Sequence, residues 1–119
     1  MDRRASIVEA LEAGLRAANL RQSVIANNIS NLNTPGYRRS TVEFGQRLAE
    51  ALRSSRPADL TRLAGEIVQP LTTPVNANGN DVDLDTEVGG LIKNTSVYKL
   101  YLRLLAKLYG QMDLAIRGG

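Results

Sequence analysis

The chain has 119 residues, enough for one domain, and 43% of them are apolar; with one Phe and no Trp it can bury only a thin core by itself. Neither Cys nor His occurs, which excludes disulfides and thiolate metal sites and removes the commonest general base, so an enzyme fits poorly and no cofactor is expected. The net charge is +3 and the pI about 9.6, but the arginines of 3–62 are scattered, with no cluster denser than the pairs Arg3–Arg4 and Arg38–Arg39, which describes a mixed solvated surface better than a nucleic-acid-binding patch.

Behind Arg3 and Arg4 there is no apolar run, because Glu9, Glu12 and Arg16 interrupt it. No cleavable leader is therefore expected, and no stretch reaches membrane-spanning length. Val8, Leu11, Leu15, Ala18, Gln22, Ile25, Ile29 and Leu32 alternate at spacings of three and four, which predicts a heptad helix over 5–32. Gln22 is its one polar member and either fixes the register or lies at the seam edge. The helix runs into "ANNISNLNTPGY", where Asn27, Asn28, Asn31 and Asn33 fall within seven residues. Asparagine competes with the backbone for hydrogen bonds and is a mediocre helix former, so this density asks for a reason. Pro35-Gly36 then predicts a type II turn.

Residues 41–54 predict a short helix carrying Val42, Leu48, Ala49 and Leu52, and "EIVQPLTTPV" predicts an extended segment or hairpin edge bounded by prolines. "NANGND" is turn-rich. Asp81, Asp83, Asp85 and Glu87 follow; the spacing of a calcium loop fails, and Asp83 or Asp85 is expected to cap a helix whose dipole the other acids favour. That helix, over 85–117, has its own seam of Val88, Leu91, Thr95, Tyr98, Leu102, Leu105, Tyr109, Met112 and Ile116. A neighbouring stripe of Val97, Tyr101, Leu104 and Leu108 makes its apolar face wider than one partner helix covers, so either the middle segment or other subunits must cover the rest. Gly89 and Gly90 interrupt good helix formers and suggest a bend or the close approach of a neighbour.

These elements predict an all-α-dominated fold. The helices of 1–32 and 85–119 pair as an antiparallel coiled coil, forming one unit, and 33–84 is an irregular connector with a short helix and a β-hairpin. The expected seam includes Leu11, Leu15, Ile25, Ile29 and Leu32 against Tyr98, Leu102, Leu105, Tyr109 and Met112. In this register Asn27, Asn28 and Asn31 point away from the seam, where amides suit a surface that is wet before assembly and buried after it. Residues 38–62 hold six Arg against three acids, whereas 81–87 hold four acids and no base, so these patches pair either within one chain or between subunits. No nucleotide loop, nucleophile elbow or metal-ligand constellation is present.

"ANNISNLNTPGYRR" at 26–39 closely resembles the N-terminal signature of bacterial flagellar rod and hook proteins, and "NGNDVDLDTEVGGLIKNTSVYKLYLRLL" at 78–105 is similar to the proximal rod subunits. Together these regions and their helices cover most of the chain, with 45–77 matching weakly. The resemblance implies a structural subunit that leaves through the flagellar type III apparatus and polymerises helically in the periplasm, its terminal helices lining the inner tube. Implied neighbours are further copies, the next rod subunit of the FlgC type, the ring–rod adaptor FliE, the membrane ring protein and the export gate. Asn27, Asn28, Ile29, Asn31, Asn33, Thr34, Pro35, Gly36 and Tyr37 become an assembly signature, and Phe44 and Leu48 of "FGQRL" an export-gate element. The heptads alone also permit a cytoplasmic coiled-coil adaptor, and the pI alone a nucleic-acid-binding helical protein.

Overall fold

A computed structural model describes residues 3–54 and 56–118, leaving aside the side chains of Arg3 and Arg4. The elements are α1 (Arg3–Ser30), β1 (Thr41–Glu43), α2 (Gly45–Arg53), α3 (Pro57–Thr61), β2 (Glu66–Val68) and α4 (Leu84–Ile116). The molecule is mostly helical and elongated, 64 × 28 × 15 Å, because α4 alone, with 33 residues, is about 50 Å long.

Alpha1 is the middle layer. On one side it packs along α4; on the other it carries β1 and α3. The helix pair is antiparallel, since Asn28 near the end of α1 meets Glu87 near the start of α4, and Ala18 meets Asn94 farther along. Ala13 and Ala17 are fully buried and form, with Phe44, a small core against which Leu48 and Leu63 pack. The alanines that thin the core thus have a purpose: they let the connector lie close on α1.

The expected short helix over 41–54 divides into β1 and α2, and the expected extended segment supplies β2. The strands pair antiparallel, with Thr41 opposite Val68, Val42 opposite Ile67 and Glu43 opposite Glu66. Pro57 opens α3 at a position where a missing N–H costs nothing. Arg16 of α1 ties this segment down, donating through Nε to the Leu63 carbonyl at 2.9 Å and through Nη2 to the Leu60 carbonyl at 3.0 Å.

The seam of α4 departs from the expected register. Leu105 and Asn94 are buried, Leu91, Tyr98, Tyr101, Leu108 and Met112 are half-buried, and Val88, Leu102, Tyr109 and Ile116 are exposed. Leu102 and Tyr109 therefore stand outside the helix pair, and Tyr101 and Leu108, expected in a second stripe, take their place. The periodic reading preferred Val88, Thr95, Leu102 and Tyr109, whereas the folded pair buries Glu87 and Asn94, whose polar groups find partners that periodicity does not reveal. On α1, Ile25 is buried, Leu11, Leu15 and Ile29 are half-buried, and Gln22 is exposed; Leu32, expected in the helix, lies half-buried in the turn that follows it. Alpha4 runs unbroken through Gly89 and Gly90, and a Cβ on Gly90 would sit 3.6 Å from Ile25 Cδ1.

Asp83 occupies the N-cap position of α4, but its carboxylate accepts from the Thr86 hydroxyl at 2.7 Å rather than from a backbone amide. Asp85 lies inside the first turn, where with Glu87 it complements the helix dipole instead of capping. None of the described helices is long and apolar enough to cross a membrane.

Candidate functional site

The asparagine-rich end of α1 and the start of α4 meet in a polar clasp. Its first part is a turn. The Tyr37 amide donates to the Thr34 carbonyl at 3.2 Å, Pro35 fills the second position, and Gly36 takes a φ of +75° at the third, which only glycine adopts without strain in this type II geometry. A second turn faces it: the Gly79 amide donates to the Asn76 carbonyl and the Asn76 amide to the Asn80 carbonyl. The two turns dock through the Gly36 amide, which donates to the Asn78 carbonyl at 2.9 Å.

Open space surrounds the position where a Cβ on Gly36 would stand. Gly36→Ala therefore tests backbone conformation alone, and a loss of about 1–2 kcal/mol is expected as a lower urea midpoint, with Gly36→Asn milder. An unchanged midpoint for Gly36→Ala would show that the turn adopts another conformation.

Asn80 locks the turns to the end of α1. It is 0% exposed, and its amide nitrogen donates to the carbonyls of Asn31 and Thr34, both at 2.8 Å, while its side-chain oxygen accepts from the Val82 amide at 2.7 Å. It thereby adds a second donor to two carbonyls just past the end of α1, which also accept from the Thr34 and Tyr37 backbone amides. Asn31 contributes its backbone carbonyl to this contact, and its own amide closes back on the Asn27 carbonyl and accepts from the Thr34 hydroxyl.

Asn28 sits at the centre of the clasp and is also 0% exposed. Its nitrogen donates to the Ser40 carbonyl at 2.9 Å and to Glu87 Oε2 at 3.1 Å; its oxygen accepts from the Ser40 amide at 3.0 Å and the Tyr37 hydroxyl at 2.9 Å. Both donors and both acceptor positions are used. This corrects the expectation that Asn28 faces outward to meet other subunits: it is spent inside the chain, and only an amide carries the required two donors and two acceptors. Asn27 is exposed and donates to the Tyr37 hydroxyl at 3.1 Å, Ile29 is half-buried, and Asn33, Thr34 and Pro35 lie at the surface.

Two ion pairs complete the arrangement. Arg39 Nε stands 2.7 Å from Glu87 Oε1, and Arg38 Nε stands 3.0 Å from Asp81 Oδ2; both carboxylates are fully buried. Asp81 Oδ1 also accepts from the Arg39 backbone amide at 2.6 Å. The basic pair after the signature and two of the four acids of 81–87 are therefore partnered within one chain. Farther along, Asn94 donates to the Ala18 carbonyl at 2.8 Å and accepts from Arg21 at 3.4 Å, a second buried polar link between the helices.

Asn80, Asp81, Glu87 and Asn94 escape a reading of periodicity. Their signal is compositional: "NGND" and Glu87 carry more polarity than a turn and a helix start require. Phe44 is buried on Ala13 and Ala17, and Leu48 packs beside it, so the expected export-gate element lies inside the folded core. The clasp holds no nucleophile and base in reach of each other, and among the described residues no group of three or more acids can hold a metal ion. Every polar atom at its centre is engaged in joining two chain segments. The fold and site thus define a protein of two long helices locked together by a buried polar clasp at one end of the pair.

The comparisons with known proteins agree with this and extend it. A family model described as flagella basal body rod protein matches residues 9–38, the segment that ends in the asparagine-rich turn. The flagellar basal body rod protein FlgB of Borrelia hermsii is 31% identical over 87% of this chain and 90% of its own length. The FlgB proteins of Bacillus subtilis and Escherichia coli are each 30% identical over 94% of this chain, covering 94% and 99% of those proteins. The chain belongs to the flagellar basal-body rod protein family. Within that family these relatives, matched over nine-tenths or more of their length, are rod subunits of the FlgB type, and both halves of the clasp fall inside the matched region.

Proposed function

We propose that this chain polymerises into the proximal rod, the drive shaft between the membrane ring and the hook, with its neighbours drawn from further copies, the FlgC-type subunit, the adaptor FliE and the membrane ring protein. The observation that carries this reading is the one-sided helix pair. Alpha1 carries both α4 and the connector, whereas α4 makes its main contacts with α1, and Ile92, Leu100, Leu104 and Leu114 remain exposed on it. A row of this kind on a free monomer signals a surface that other subunits cover. The clasp joins the two terminal segments, so the unit that assembles is the closed helix pair.

In this reading the chain leaves through the flagellar type III apparatus and assembles in the periplasm. Phe44 and Leu48 would meet the export gate before folding, because afterwards Phe44 is buried against α1. A cytoplasmic adaptor would instead bury the outer face of α4 in a small closed oligomer.

Electron microscopy of basal bodies from a strain lacking the gene, beside the same strain complemented in trans, tests the proposal. Membrane rings without a rod, restored by complementation, are expected. Intact rods and hooks in the deletion strain would overturn it and put the adaptor reading first.

A further inference from the structure

Lys99, Arg103 and Lys107 follow one another at intervals of one turn on the exposed side of α4, and no acidic residue occurs between Val88 and Met112. None of the three forms an ion pair among the described residues. Like charges four residues apart repel each other along a helix, so the row weakens α4 in the free chain. Leu100, Leu104 and Leu114 are exposed beside it.

The complement lies on the opposite side of the molecule. Glu9, Glu12, Arg16 and Thr61 line a cleft of about 230 Å³ between α1 and α3. Glu9 Oε2 is buried there without a hydrogen-bond partner, a state that native structures rarely leave uncompensated. Arg16, one turn from Glu12, is occupied by the Leu60 and Leu63 carbonyls, and neither acid has an ion-pair partner among the described residues. Glu12 is two residues, about 200° of helix rotation, from Gly14, over which Tyr101 of α4 lies. The acids therefore face away from the α4 of their own chain.

We infer that the basic row of α4 docks into the Glu9–Glu12 cleft of a second copy of this chain. This deepens the rod-subunit reading and rests on it. Glu9 and Glu12 are about 4.5 Å apart along their helix axis and Lys99 and Arg103 about 6 Å, so two ion pairs form together. Because the surfaces are different and lie on opposite sides of one subunit, the contact is heterologous and leaves a free surface at each end for the next copy.

The chain contains no cysteine, so a doubly substituted chain, Glu12→Cys with Arg103→Cys, reports the contact directly in isolated basal bodies. Oxidation is expected to give a ladder of linked copies that neither single substitution gives. In parallel, reversing the row (Lys99→Glu, Arg103→Glu, Lys107→Glu) is expected to abolish rods, and adding Glu9→Lys and Glu12→Lys to restore them. Rods that form without the ladder and tolerate reversal would overturn the interface and leave the rod reading standing. Cross-links to a different rod protein alone, or a reversal that lowers only binding to anionic-lipid vesicles, would also overturn it. Rods that never required the chain would overturn the rod reading as well.

Discussion

Glu87→Ala is expected to cost about 3–5 kcal/mol, a large share of the stability of a domain this size. Glu87 is 1% exposed, and its two oxygens accept from Arg39 Nε and Asn28 Nδ2. Removing the carboxylate strands a guanidinium that is only 17% exposed and an amide N–H that no water reaches easily. It also releases the contact that sets the register of α4 against α1. Far-ultraviolet circular dichroism through a urea titration measures the loss, with trimethylamine N-oxide added to all samples to stabilise the unassembled chain. Asp85→Ala, exposed in the same first turn, is the control and should change the midpoint by no more than about 0.5 kcal/mol. Combining Glu87→Ala with Arg39→Ala should cost less than the sum of the two, because each single change already breaks the same pair. Strict additivity would show that Arg39 and Glu87 do not meet in solution.

The same argument changes what substitution of Asn28 is expected to do. Had its amide faced other subunits, Asn28→Ala would weaken assembly and leave the free chain intact. With four hydrogen bonds inside one chain, it should instead destabilise the free chain, and any assembly defect follows from that. Among the asparagines of the signature, Asn27 and Asn33 are exposed and remain available to neighbours.

What the sequence made legible was set by which forces are local. Two heptad helices, a Pro-Gly turn and an extended segment between prolines all follow from propensities within a few residues, and all appear. The register of α4 did not follow, because two adjacent apolar stripes compete at nearly equal hydrophobicity. The choice between them rests on Glu87 and Asn94, polar residues that are buried only because Asn28, Arg39 and the Ala18 carbonyl stand opposite. The density of asparagine marked the site, yet its partners on the far side of the clasp lie some 46 to 59 residues away, and no periodicity connects Asn28 to Glu87 or Thr34 to Asn80. The opposed charges of 38–39 and 81–87 were visible, but whether they pair inside one chain is a question of topology.

Gly14 gives the sharpest test of the helix pair. A Cβ on Gly14 would lie 2.6 Å from Tyr101 Cε2 and 2.8 Å from Cζ, closer than real contacts allow, so the phenol ring rests directly on the α1 backbone. Glycine inside a helix costs about 1 kcal/mol relative to alanine, and here the close approach of the ring explains why it is present. Gly14→Val adds three carbons beneath a rigid ring and should cost about 3 kcal/mol through forced separation of the helices. The more telling experiment is the smaller change in two backgrounds. Gly14→Ala should destabilise the wild-type chain, because overpacking against Tyr101 outweighs the gain in helix propensity. In a Tyr101→Ala background the ring is gone, and the same substitution should stabilise by about 1 kcal/mol. The sign of one methyl group's effect thus reports whether Tyr101 lies on Gly14. If Gly14→Ala stabilises both backgrounds equally, the two helices do not approach there, and the α4 register in which Tyr101 replaces Leu102 in the seam is wrong.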